Sequence, residues 1–140
     1  MIHFGFFALG VFFLVSAAGK FLSPADAIEF SGNFVSDAGT AKAVVIAVSV
    51  FEAILGLILL TGYFQVQAAV LSAATLLIFL VALAFVAYQD LGVETCGCLG
   101  GYVKTSPAVS ARKNLIILSG ITALLALKLR QRRLEKNQVV

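Results

Sequence analysis

Four long apolar segments, separated by short polar ones, account for most of the chain. They cover residues 2–22, 41–60, 66–88 and 115–129. A helix needs about 20 mostly apolar residues to cross the hydrocarbon core of a bilayer. The fourth segment is the shortest, but basic residues lie at its ends, and their long side chains can extend to the membrane interface. The pattern predicts an all-α protein with four membrane spans.

The connections between these segments predict how the helices are arranged. Residues 61–65 make a tight, uncharged turn, whereas residues 23–40 and 89–112 make longer loops. Direct connections between consecutive helices favour antiparallel neighbours. We therefore predict an integral membrane four-helix antiparallel bundle. It forms a single domain over residues 1–140 and ends in a short basic tail at residues 130–140.

The composition agrees with a membrane environment. Hydrophobic residues make up 61% of the chain and charged residues 12%, whereas soluble domains have about 45–50% and about 25%. A chain of this length cannot bury so much apolar surface in water, so we expect the lipid bilayer to solvate it. The formal net charge of +3 comes from basic residues that do not form one face. Nucleic acid is therefore not an expected partner.

The distribution of Lys and Arg predicts an orientation. Four spans place both termini on one side of the membrane, and each side then carries five basic residues. On the side of the termini these are clustered: Lys128, Arg130, Arg132, Arg133 and Lys136. Basic clusters beside a span favour the cytoplasmic side. We expect a multi-pass protein of the cell (inner) membrane with both termini in the cytoplasm, the first span retained, and the loop of residues 89–112 outside.

The cysteines of the chain are Cys96 and Cys98, separated by Gly97 in that outer loop. Consecutive Cα atoms lie about 3.8 Å apart. A bend at Gly97 therefore brings the pair into the range of about 4.4–6.8 Å between Cα atoms that a disulfide needs. Gly100 adds freedom beyond the pair. Disulfides form and persist outside the cytoplasm, and strained, exposed ones are often catalytic. The pair is a candidate redox site.

Other interpretations of the pair stay open at this point. One alternative is a membrane scaffold or assembly factor in which the cysteines have no chemical role, and another is metal binding by the two thiols. Zinc sites need about four ligands, and His3 lies at the opposite end of the first span, so we expect no complete metal site in one chain. A copper(I) site shared with a partner or a second copy is the metal alternative. For redox chemistry, Lys104 or Arg112 would favour the thiolate if either folds nearby.

Glu52 lies near the middle of the second span, where an ionised side chain is costly. Lys20, near the outer end of the first span, is its expected partner. We interpret the two as a structural pair that fixes helix register. A proton relay, or a protonated Glu52 that donates a hydrogen bond, are the alternatives. Small residues such as Gly5, Gly10 and Gly120 are expected where helices pack closely.

Four stretches of the sequence match motifs of one known family. Residues 96–100, CGCLG, resemble the CGCFG-type motif of the methylamine-utilisation MauE family within the MauE/DoxX-like membrane proteins, with Leu99 in place of the usual aromatic residue. Residues 13–21, FLVSAAGKF, resemble its first-span signature, and residues 52–57, EAILGL, its second-span pattern. Residues 113–115, KNL, resemble the start of its last helix. Together these stretches extend over nearly the whole chain.

The resemblance implies a four-helix membrane protein linked to thiol–disulfide chemistry. MauE is associated with maturation of methylamine dehydrogenase, whose small subunit is rich in disulfides. The fold is also similar to the DsbB and VKOR oxidoreductases, which pass electrons from thiols to quinone through two cysteine pairs. This chain has one pair. Either Cys96 or Cys98 would attack an extracytoplasmic thioredoxin-like or client protein, and the other would resolve the mixed disulfide. Another protein or a quinone would be the second redox couple.

Overall fold

The computed structural model describes residues 2–89 and 106–138, and within them it contains five helices. These are α1 (Ile2–Leu22), α2 (Ala25–Gly32), α3 (Ala38–Thr61), α4 (Gln65–Tyr88) and α5 (Pro107–Gln138). The helices α1, α3, α4 and α5 are long and apolar enough to cross a membrane. The predicted fold class, an all-α membrane bundle, is confirmed.

Two predicted loops contain more helix than the sequence pattern indicated. The short helix α2 lies inside residues 23–40, and it follows Pro24, whose fixed φ suits the start of a helix. The helix α5 starts at Pro107 rather than at 115. The hydropathy pattern did not predict the first turns of α5, because the side chains there are polar. Their polar side chains Ser110 and Asn114 are nevertheless buried in the bundle. Residues 90–105, the remainder of that predicted loop, lie outside the described residues.

Specific residues start and end α3. The side chain of Asp37 caps its first turn and accepts hydrogen bonds from the backbone N–H and the hydroxyl of Thr40, at 2.7 and 2.9 Å. The backbone hydrogen bond from Thr40 and then its hydroxyl hydrogen bond hold the pKa of Asp37 below its ordinary value. At the other end, Gly62 adopts φ +83, the left-handed conformation that ends many helices. The chain can then turn directly into α4.

The bundle closes through four helix contacts. The helix α1 packs most extensively on α3, and α4 packs on α5, while contacts of α3 with α4 and of α1 with α5 complete the ring. Apolar side chains from all four helices fill the centre. The buried members of this core are Phe6, Leu9, Phe13, Leu55, Leu59, Ala68, Ala69, Leu76 and Ile121. The helix α2 lies against α3 at one end.

The outer surface of the bundle is apolar. Large hydrophobic side chains such as Phe4, Ile78, Val81 and Ile116 are each about 70% exposed. Exposing such a surface to water is energetically unfavourable, whereas lipid chains solvate it well. The four long helices therefore lie in a lipid bilayer, and the chain is a multi-pass membrane protein.

Glycine brings α1 and α3 together. A Cβ atom added to Gly10 would lie 2.9 Å from the backbone oxygen of Gly56, and one added to Gly56 would lie 2.9 Å from the backbone oxygen of Gly10. Close packing is also confirmed at Gly5, which lies against Leu124. It is wrong for Gly120, where an added Cβ would meet nothing within 4 Å in the described part of the chain.

We predict that Gly56→Ala lowers the free energy of unfolding by about 1–3 kcal/mol, because the two backbones must separate. Gly120→Ala is the matched control on an open helix face. It should leave stability unchanged or raise it slightly, since alanine favours a helix over glycine by about 1 kcal/mol. Unfolding of the purified protein in detergent micelles by dodecyl sulfate measures both. Equal effects of the two substitutions would contradict the close contact.

Candidate functional site

A buried ion pair joins α1 to α3. The Nζ atom of Lys20 lies 2.6 Å from Oε2 of Glu52, and the two side chains are 4% and 3% exposed. Lys20 also donates a hydrogen bond of 2.9 Å to the hydroxyl of Ser16, which itself donates one of 3.1 Å to Oε2 of Glu52. The three groups form a closed triangle of hydrogen bonds. The predicted pairing of Lys20 with Glu52 is confirmed.

Local helix geometry explains why these residues meet. Ser16 and Lys20 lie four positions apart on α1, so they share one face of the helix. Side chains on a helix lean toward its N-terminus. Because α1 and α3 run in opposite directions, Lys20 leans down into the bundle and Glu52 leans up toward it. Gly56, one turn after Glu52, holds the two helices in contact. The two side chains therefore meet, although the backbones of Lys20 and Glu52 lie at different depths in the bundle.

A second cation lies beside the pair. The Nζ atom of Lys113 on α5 is buried and has no hydrogen-bond partner within residues 2–89 and 106–138. It lies 5.7 Å from the centre of the Phe12 ring, a distance at which the ring face attracts a cation. Lys113 and Asn114 line a small cavity of about 10 Å³ together with Ser16, Lys20 and Glu52. This volume is at the lower limit of what one water molecule needs.

The charges of this group do not cancel. Lys20 and Lys113 carry two formal positive charges, and Glu52 carries one negative charge, which leaves an excess of one positive charge. Aromatic faces offset part of the cost, since the Phe79 ring of α4 lies 5.3 Å from Nζ of Lys20. We call Ser16, Lys20, Glu52, Lys113 and Asn114 the polar cluster. All four long helices contribute to the cluster or to its walls.

The polar cluster lies toward the end of the bundle from which the cysteine segment leaves. Lys20 precedes the last residue of α1 by two positions, and Lys113 lies less than two turns from the start of α5. The helix α4 ends at this same end, at Tyr88. The predicted site residues Cys96, Gly97, Cys98, Gly100 and Lys104 lie outside the described residues.

Of the two cations predicted to act on the thiols, Arg112 is described, and it is exposed on α5 rather than located in a loop. The next residue, Lys113, turns inward instead. Sequence reasoning missed Lys113 because a lysine at the end of an apolar run is usually at the interface. The part of the sequence that could have indicated a role for Lys113 is residues 113–115, KNL, which resemble the start of the last helix in the family.

Within residues 2–89 and 106–138, no three side chains of His, Cys, Asp or Glu come together as a metal site would need. The copper(I) alternative depends on Cys96 and Cys98, which lie outside those ranges. The polar cluster itself offers two ammonium groups and one carboxylate. Such a group can hold a proton or stabilise a nearby anion.

Comparison with known sequences identifies one family. A sequence model of the family described as methylamine utilisation protein MauE matches residues 1–129. The matched range includes both cysteines and every member of the polar cluster. Neither a curated protein nor a solved structure matches the chain significantly.

We predict strong coupling between Lys20 and Glu52 in a double-mutant cycle. Removing one partner leaves a buried charge without its ion pair, which costs about 3–5 kcal/mol. Lys20→Met and Glu52→Gln should each destabilise the protein, whereas the double variant should recover most of the loss. Unfolding in detergent measures each term. Lys42→Met, on the exposed side of α3, is the control and should have little effect. Additive losses in the double variant would contradict a direct pair.

Proposed function

Because the chain belongs to the family of methylamine utilisation protein MauE, we propose that it is a membrane thiol–disulfide exchange protein. The pair Cys96 and Cys98 carries the chemistry, on the outer side of the cell membrane. One observation supports this above the others: the only two thiols of the chain lie one residue apart, in the segment between α4 and α5. That segment leaves the bundle at the end toward which the polar cluster lies.

The proposed orientation places both termini in the cytoplasm. Lys128 of α5 donates a hydrogen bond of 3.2 Å to Gln65 at the start of α4, and its Nζ atom lies 5.9 Å from the Phe6 ring of α1. The start of α1, the start of α4 and the later part of α5 therefore share one end of the bundle. The basic tail follows at that end, which favours the cytoplasmic side. The cysteine pair then lies in the compartment where disulfides persist.

The exchange proceeds in two steps. A client thiolate attacks the Cys96–Cys98 disulfide, the S–S bond breaks, and one cysteine leaves as a thiolate while the other forms a mixed disulfide with the client. A second client thiolate then breaks the mixed disulfide. The client is oxidised to a disulfide and loses two electrons and two protons. Cys96 and Cys98 accept these electrons and protons and become two thiols. The reverse order of steps reduces a client disulfide.

The pair needs a second redox couple, because the chain contains no other cysteine. A thioredoxin-like protein outside the membrane, or a quinone within it, would restore the starting state. The client is a disulfide-containing protein, in keeping with a MauE-like role in maturing a disulfide-rich enzyme subunit.

The polar cluster supports this chemistry through its charge. A thiol exchanges disulfides as the thiolate, and nearby cations favour that form. The excess positive charge of Lys20 and Lys113 over Glu52 lies toward the end of the bundle that carries the thiols. In lipid such a charge is screened far less than in water. The cluster therefore acts as a positioning and electrostatic element, and the cysteines are the reacting groups.

We predict that a mixed disulfide with a client accumulates when one cysteine of the pair is replaced by serine. A single variant has no internal disulfide, so the adduct forms in the reverse direction: the retained thiolate attacks a client disulfide, and one client cysteine leaves as a thiolate. No second cysteine is then present in the chain to break the mixed disulfide. Cys96→Ser and Cys98→Ser, each expressed in its native membrane, should therefore differ: one should trap a dithiothreitol-sensitive adduct and the other should not. Mass spectrometry of the adduct identifies the client.

Two controls define this test. The double variant Cys96→Ser/Cys98→Ser should form no adduct and should lose disulfide exchange. In that background Ser36→Cys, between α2 and α3, should react with a membrane-impermeant maleimide from outside, and Tyr63→Cys, in the opposite turn, should not. Full function of the double serine variant would indicate a scaffold, and metal loss on chelation without disulfide cycling would indicate copper handling. Either result would contradict the proposal.

A further inference from the structure

A second cavity, of about 410 Å³, lies between α2, α3 and α4. Its volume falls in the range of about 300–1,000 Å³ that is typical of small-molecule sites. The walls are almost entirely apolar, and four of the lining residues are phenylalanines: Phe30, Phe34, Phe51 and Phe79. The ring of Phe34 also packs against Phe30 and against Phe85, with centroids 5.5 and 5.7 Å apart. Such walls suit a flat, apolar ring.

The cavity opens toward lipid. Three of its lining side chains, Val44, Phe51 and Ile78, are 40%, 40% and 71% exposed on the outer face of the bundle. This face contacts the bilayer in a membrane protein. A molecule dissolved in the lipid would therefore reach the cavity without crossing water.

One ionisable side chain, that of Lys20, is among the residues that line the cavity. Its ammonium group has three N–H donors, and Ser16 and Glu52 accept two hydrogen bonds from it. The third N–H has no acceptor in the described part of the chain. A buried donor without an acceptor is costly. A ligand atom that accepts this hydrogen bond would remove the cost.

The charge balance at this position selects the kind of acceptor. The excess positive charge of the polar cluster is carried by Lys113, which lines the small cavity and not the large one. Lys20, which does line the large cavity, is already paired with Glu52. An anionic ligand would add a second negative charge beside Glu52 in a low-dielectric site. A neutral carbonyl oxygen adds none. The ligand that fits is neutral, soluble in lipid, built on a flat ring and equipped with a carbonyl oxygen.

We infer that this cavity binds a membrane quinone, with Lys20 donating a hydrogen bond to one of its carbonyl oxygens. The role of the ligand rests on the proposed function. A quinone would accept two electrons and two protons and become a quinol, while the thiols of Cys96 and Cys98 lose them and join as a disulfide. Lys20 lines both the large cavity and the polar cluster, so it connects the ligand with the charged group.

Binding of radiolabelled decylubiquinone to the full chain in phosphatidylcholine nanodiscs tests the inference, with empty nanodiscs subtracted. We expect saturable binding. Val48→Phe places a ring into the cavity and should weaken binding at least tenfold. Val50→Phe, on the lipid-facing side of the same helix and outside the cavity, is the matched control and should bind like the unmodified protein. Equal binding by these two variants would overturn the site.

A second variant tests the donor. Lys20→Met/Glu52→Gln removes the ammonium together with its carboxylate partner, so the net charge of the polar cluster does not change. It should weaken binding about tenfold or more, as expected for a hydrogen bond from a charged donor. Saturable binding of oleate in place of decylubiquinone would identify a fatty-acid site and overturn the inference. The Cys96→Ser/Cys98→Ser variant should still bind decylubiquinone. Quinone binding is therefore tested independently of disulfide exchange.

Discussion

The buried ion pair between Lys20 and Glu52 constrains the rest of the bundle. Lipid cannot solvate either charge, so the two side chains must meet, and they meet only if α1 and α3 approach closely in one register. The contact between Gly10 and Gly56 provides that approach. Once this register is set, Ser16 completes the hydrogen bonds. Phe79 and Phe12 supply the ring faces beside the two lysines.

The same pair connects three parts of the molecule that could be considered separate. It forms the centre of the polar cluster, which lies toward the end of the bundle where the cysteine segment begins and ends. Through Lys20 it also reaches the ring-lined cavity that opens to lipid. Thiol chemistry at the surface and a lipid-soluble redox partner in the bilayer would need a link of this kind. A purely structural ion pair would not need an additional buried cation, and Lys113 is difficult to explain in that interpretation.

Sequence reasoning was most reliable where lipid is the solvent. Long apolar runs must be helices there, and rare charges such as Lys20 and Glu52 must find each other. It failed where polar residues are inside the bundle: hydropathy placed the start of the last helix at 115, because the buried Ser110 and Asn114 look like loop residues. Gly56 and Gly120 look alike in sequence, and only the packing shows that one touches a neighbouring helix. The role of Cys96 and Cys98 stays a prediction.

The pH dependence of cysteine alkylation in the reduced protein tests the link between the polar cluster and the thiols most directly. Iodoacetamide reacts with the thiolate, so the pH of half-maximal rate reports how strongly the protein stabilises that form. We expect Lys113→Met to shift this pH upward and to slow the reaction at neutral pH. The exposed Lys42→Met should leave the profile unchanged. Overlapping profiles for Lys113→Met and the unmodified protein would show that the buried charge does not act on the cysteine pair, and would contradict the account.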